Sequence, residues 1–171
     1  TELYKPEQWH DFFLTVGGGA AALTGLLVVA MSLHLEAIIN DAPLRHRALS
    51  IFVGLSATFI RCALALMGGQ NQQAIGFELL IVCCFAFGIG FQSFLRTLKS
   101  KKKRLPRDVI YRSIGNISCY LGEMLGAVIL ISGFFWGLYL AAVTMVLNFY
   151  FMISGSWLLL ARISWDEEAN K

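Results

Sequence analysis

From Ser113 to Ile163 the chain is apolar, and the only charged side chains in that stretch are Glu123 and Arg162. As one straight helix this segment would be about 75 Å long, more than twice the roughly 30 Å hydrocarbon thickness of a bilayer. It must therefore fold back on itself. Gly133-Phe134-Phe135-Trp136-Gly137 is the natural hinge, so the segment reads as two spans, about Ile114–Phe134 and Leu138–Ile163.

Three further apolar blocks precede it. The first runs from about Phe13 to Leu35, with Pro43 marking the loop that follows. The second covers about Ala48 to Met67 and stops at the polar turn Gly68-Gly69-Gln70-Asn71-Gln72-Gln73. The third extends from about Ala74 to Leu95 and ends at a basic stretch containing Pro106. Lipid offers no hydrogen-bond partners, so such blocks are helices, and their Leu, Ala, Gly and Phe content lacks the alternation of barrel strands. The sequence thus predicts an all-α polytopic membrane protein, a single five-helix transmembrane domain over residues 1–171. A mean hydropathy of +0.64 exceeds what a soluble domain of this size needs for a core.

Lysine and arginine placement predicts the orientation. Arg96, Lys99, Lys101, Lys102, Lys103, Arg104, Arg107 and Arg112 crowd the 96–112 loop, with Asp108 as its one acid. Basic loops stay cytoplasmic. That choice also puts Arg45, Arg47, Arg162 and Lys171 inside, leaves Lys5 outside, and gives an outer N-terminus and a cytoplasmic C-terminus. Trp9, Trp136 and Tyr139 then share the outer interface, and Tyr111 and Trp165 the inner one, where amphipathic rings are favoured. Residues 1–12 carry Glu2, Glu7 and Asp11 where a secretory signal needs basic residues, so no cleavable signal is expected there. Cys62, Cys83, Cys84 and Cys119 all lie in apolar blocks and read as reduced, buried thiols.

The opening Trp9-His10-Asp11-Phe12-Phe13, the run Gly17-Gly18-Gly19-Ala20-Ala21-Ala22-Leu23-Thr24-Gly25-Leu26, and Ala30-Met31-Ser32-Leu33 resemble a set of small, uncharacterised bacterial multi-span membrane proteins. The resemblance covers the chain to about residue 81 and is looser from Leu138 to Ile163. It implies a multi-span fold in a bacterial plasma (inner) membrane and supplies no activity.

Candidate functional residues fall into three groups. Gly17, Ala21 and Gly25 recur at four-residue spacing, widened by Gly18 and Ala22, and Ser118, Gly122 and Gly126 repeat the pattern. Small faces let membrane helices approach closely, either inside one protomer or as a subunit interface or pore lining. Charges within the bilayer form the second group: Arg61, Glu78 and Glu123. One such charge at the membrane centre costs about 2.5–3.5 kcal/mol on the lenient scale. A hairpin around Asn71 brings Arg61 and Glu78 to similar depth, where they can form a structural pair, and both Glu78 and Glu123 remain open as partners of Arg61. Glu123 sits deeper, with Arg61 as its one available partner, and is expected to face a hydrated path or subunit junction. Asn116, Asn148 and Gln92 add amides suited to helix–helix hydrogen bonds. The third group is the loop cations Lys99, Lys101, Lys102, Lys103, Arg104 and Arg107, which suit anionic lipid headgroups better than nucleic acid.

The sequence carries no G-x-S-x-G, P-loop, H-E-x-x-H, C-x-x-C-H or Rossmann pattern and no metal-ligand spacing. Enzyme activity, a cofactor and a metal site are therefore not expected. Two function classes remain: a homo-oligomeric, channel-like or transport component, and an accessory or scaffold protein that binds a membrane partner without conducting.

Overall fold

A computed structural model describes residues 6–99 and 107–169. Its helices are α1 (Pro6–Leu33), α2 (Leu35–Asn40), α3 (Ala42–Ala65), α4 (Gln72–Lys99), α5 (Arg107–Ile131) and α6 (Trp136–Ala169). No strand occurs among the described residues. All but α2 are long and apolar enough to cross a membrane. The chain is an all-α, multi-pass membrane protein.

Successive long helices run antiparallel. The α3–α4 and α5–α6 connections lie at one end, here the hinge end, together with the start of α1. Trp9 of α1 packs edge-on against Tyr139 with ring centroids 4.8 Å apart and against Phe135 at 6.2 Å. Tyr139 in turn meets Trp136 at 5.6 Å, so the three aromatics expected at one interface do share one end. Gly69 (φ 80°) and Gly133 (φ 92°) supply the left-handed backbone that each connection requires. Asn71 caps α4 by accepting the Ala74 N–H at 2.8 Å. The Gln72 side chain donates to the Leu130 carbonyl at 3.2 Å, joining the two connections. The opposite, basic end holds the α1–α3 connection, the end of α4, the start of α5 and the end of α6.

Several boundaries differ from the sequence expectation, with α1, α3 and α5 each beginning six or seven residues before the expected span. Pro43 is not in a loop but in the first turn of α3, where its missing N–H has no intrahelical acceptor to lose. The preceding loop holds the short helix α2, whose Ile38 is buried. Of the loop cations, Lys101, Lys102, Lys103 and Arg104 lie outside the described residues, as do the side chains of Lys99, Arg107 and Trp165.

The interior is layered along the bundle. An apolar cluster at the hinge end includes Phe13, Cys62, Ile75, Leu79, Leu130, Leu138 and Met145. A second, toward the basic end, includes Leu27, Leu44, Ile51, Leu55, Tyr120, Met152 and Leu159. Helix α3 is the most enclosed element. Its buried residues Leu44, Ala48, Ile51, Leu55, Thr58, Cys62 and Ala65 alternate steps of four and three, the spacing that keeps one helix face inward. Gly54, Ala57 and Arg61 widen that face. Arg61 is thus directed into the bundle by the same periodicity that buries its apolar neighbours.

Candidate functional site: a buried charged layer and the cleft above it

Between the two apolar clusters four helices each contribute one polar group to a common layer. Arg61 of α3 is 1% exposed and Glu123 of α5 is 3% exposed, and Arg61 Nη1 is in direct ion-pair contact with Glu123 Oε2. Asn148 of α6 donates its amide to Glu123 Oε1 at 3.1 Å. Cys83 of α4 directs its thiol to Glu123 Oε2 at 3.6 Å, with the Tyr120 carbonyl at 3.5 Å. Arg61 is held from its own helix as well. Its Nε donates to the Ala57 carbonyl at 3.1 Å and its Nη2 to Thr58 Oγ1 at 2.9 Å. The Tyr120 ring lies 6.0 Å from the guanidinium carbon, within range of a cation–π attraction.

Each charge thereby gains a counter-charge and neutral hydrogen-bond partners, the condition under which a buried ion pair is tolerated. Removing either partner alone would leave an uncompensated buried charge, typically worth about 3–5 kcal/mol.

Of the two partners that the sequence left open for Arg61, the structure brings it to Glu123. Arg61 does not meet Glu78, whose two carboxylate oxygens both accept from Gln70 Nε2 at 2.8 Å in the α3–α4 turn. The cause is side-chain direction. The Cα–Cβ bond tilts toward the N-terminus of its own helix. On α3 that direction points Arg61 deeper, toward Ala57 and Thr58; on α4 it points Glu78 back to the turn. Two residues at similar backbone depth therefore diverge.

Glu123 faces the protomer interior and not lipid. The space that Gly122 and Gly126 leave on α5 is taken by α6. A methyl group on Gly122 would sit 2.6 Å from Thr144 Cγ2, and one on Gly126 would sit 2.7 Å from both the Ala141 nitrogen and the Gly137 carbonyl oxygen. The α1 stripe divides. Gly17 is buried, and a methyl group on it would sit 2.8 Å from Cys62 Cβ, whereas Ala21 and Gly25 are exposed and Gly25 has open space beside it. Gln92 is exposed and turned away from the layer. All four cysteines are free; Cys62, Cys83 and Cys119 are buried as expected, but Cys84 is exposed.

Sequence reasoning did not single out the cleft that adjoins this layer. At the basic end α3, α4, α5 and α6 part around a cavity of about 90 Å³. Arg47 and Ser50 line it from α3, Phe87 and Phe91 from α4, Arg112, Asn116 and Tyr120 from α5, and Met152 from α6. Asn116 joins the cleft to the charged layer. Its amide donates to Asn148 Oδ1 at 3.0 Å, and Asn148 donates onward to Glu123. The one visible signal was the i, i+4 series Arg112, Asn116, Tyr120, which places a cation, an amide and a phenol on one face of α5. Among the described residues no group of three His, Cys, Asp or Glu side chains could hold a metal ion.

A multi-pass bundle with one buried polar layer between apolar clusters is the class this fold defines. Comparison with known proteins adds nothing finer, since no protein family, curated protein or solved structure matches the chain.

Proposed function

We propose that the protein is a homo-oligomeric, channel-like transport component of a bacterial plasma membrane, with its N-terminus outside and its basic end in the cytoplasm. The observation that carries this reading is the chain of polar contacts from the cleft through Asn116 and Asn148 to the Arg61–Glu123 pair. A purely packed core would be as stable or more so with apolar residues in place of a buried ion pair. A charged layer joined to a cleft instead suits a gate: separating Arg61 from Glu123 would open a polar route past the bundle's midpoint. Charged groups within a membrane commonly mark ion or proton pathways. The orientation rests on the basic loop, whose lysines and arginines would contact anionic headgroups. Assembly would use the outward face of α1. No catalytic role is assigned.

The test is flux in proteoliposomes. Glu123→Gln keeps the side-chain shape and removes its charge, which frees Arg61 to move. It should change ion or proton flux at least several-fold while the oligomer persists. Absence of flux above empty liposomes across ions and pH would exclude the transport reading.

A second reading has its own support. Arg61 and Glu123 meet directly and are further held by Thr58, Ala57 and Asn148, an arrangement that also serves to fix one packing of α3 against α5. On that reading the protein is an accessory or scaffold that binds a membrane partner and does not conduct. Absence of flux from the folded, unmodified protein would favour it, since a broken buried pair can cost folding on either reading.

A further inference from the structure

We infer that Glu123 is a proton-binding site served from the basic end only, with the cleft as its hydrated approach. In naming the ion this rests on the transport reading; as a binding site it requires no conduction. Glu123 is 3% exposed, and the two directions away from it differ. Toward the basic end, Asn148 donates to Glu123 Oε1 and Asn116 donates to Asn148. Asn116 in turn lines the cleft together with Tyr120 and Ser50. A buried water needs roughly 10–15 Å³ of space and about three polar partners. The cleft offers about 90 Å³, with amide and hydroxyl groups in its walls. Toward the hinge end the layer is backed by Leu79, Ala127, Leu130, Leu138 and Met145, none more than 4% exposed. Apolar packing of that kind stays dry, and a proton does not cross it without a polar relay.

The layer suits a proton better than a metal ion. Among the described residues Glu123 is its one carboxyl, no Asp or Glu lines the cleft, and no three His, Cys, Asp or Glu side chains cluster. A hard cation such as calcium takes about six or more oxygens; a proton needs one lone pair. The groups facing Glu123 are Arg61 from α3, Cys83 from α4 and Asn148 from α6, with Tyr120 beside it on α5. Arg47 and Arg112 stand farther out in the cleft walls. Rotation of the Asn116 amide admits water to the carboxylate, so the amide pair sets the rate of entry. A hydronium ion then gives its proton to a carboxylate oxygen and becomes water, and the carboxylate becomes a neutral acid. Arg61 loses its counter-charge and keeps the Ala57 carbonyl and the Thr58 hydroxyl as acceptors. Proton uptake thus releases α5 from α3 at this level, which is the movement a gate here requires. Acid at the hinge end leaves the pair shut.

The experiment reads the carboxylic-acid C=O band of Glu123 by infrared difference spectroscopy. It uses the full chain in sealed phosphatidylcholine vesicles, prepared with the basic end facing either out or in. Acidifying the bath should raise the band directly when the basic end faces out. In the opposite orientation the band should rise only after a protonophore brings the lumen to the same pH. It should vanish in Glu123→Gln and shift in frequency in Glu123→Asp, so the assignment survives if one variant does not fold. Asn116→Leu should slow its rise several-fold. An equal, immediate rise in both orientations would overturn the proposal. So would a titrating spectrum that neither Glu123 substitution alters, or an unchanged rate in Asn116→Leu. Titration of Glu123 from the basic end without proton flux would remove the transport reading and leave the site. Potassium or sodium flux with no Glu123 band would do the reverse.

Discussion

Helices α1 and α5 carry the same small-residue spacing and use it oppositely. On α5, Gly122 and Gly126 are covered by α6, so closely that the Gly126 and Gly137 backbones leave no room for a side chain. On α1, Gly17 meets Cys62 of α3, but Gly18 and Gly25 have nothing within 4 Å and Ala21 is exposed. A four-residue step advances about 40° beyond a full turn at 3.6 residues per turn. Trp9, Phe13, Gly17, Ala21 and Gly25 all keep that step, so the series drifts round the helix and leaves the inward face after Gly17. The inward face of α1 is instead Trp9, Phe13, Gly17, Ala20 and Leu27, and the glycine stripe crosses it only once. The motif specifies that something can come close. It does not specify what.

The comparison can be broken most severely at α5. Gly126→Leu has to displace the backbone of α6, so it should destabilise the protomer by about 3 kcal/mol or more, at the upper end of overpacking effects. Unfolding titrations in mixed micelles would measure this, and a change below about 0.5 kcal/mol, the usual range for surface substitutions, would mean that α5 and α6 do not approach as described.

An intermediate effect belongs to Gly17→Leu. Its neighbour is the Cys62 side chain and not backbone, so α3 can give way more cheaply. Destabilisation of about 1–3 kcal/mol is expected in the same titration. Pairing the substitution with Cys62→Ala should recover part of the loss; a purely additive double variant would place Gly17 elsewhere than against α3.

The smallest effect on the protomer is expected at Gly25→Leu. Open space beside the residue predicts a stability change within about 0.5 kcal/mol. If the outward face of α1 joins protomers, the same substitution should still dissociate the oligomer in native mass spectrometry. An unmodified protein that is monomeric under lipid-like conditions would remove the oligomer, and a large stability loss at Gly25 would erase the contrast between the two helices.

Much of the architecture was legible because bilayer thickness is a severe constraint. Apolar block length gives five crossings, and Gly133 and Asn71 mark the turns where geometry demands left-handed backbone or a cap. The candidate site was legible in its members but not in its pairing. Arg61, Glu123, Asn116 and Asn148 stand out as polar residues in apolar blocks. Hydropathy carries depth but not direction, so it put Arg61 level with Glu78. Adding the tilt of each Cα–Cβ bond along its own helix would have separated them. The cleft was less accessible still, since its walls come from four helices and Arg47 and Arg112 look like ordinary cations at helix ends.

By itself, then, the sequence determined the all-α membrane architecture and the number of crossings, since both follow from the lengths of apolar blocks along the chain. Only the tertiary structure decided which small face α6 would cover, that Arg61 meets Glu123, and that a cleft opens beside Asn116. Those outcomes depend on how helices rotate and rise against one another, and side chains separated by 32 residues, as Asn116 and Asn148 are, share a hydrogen bond only once that packing is set.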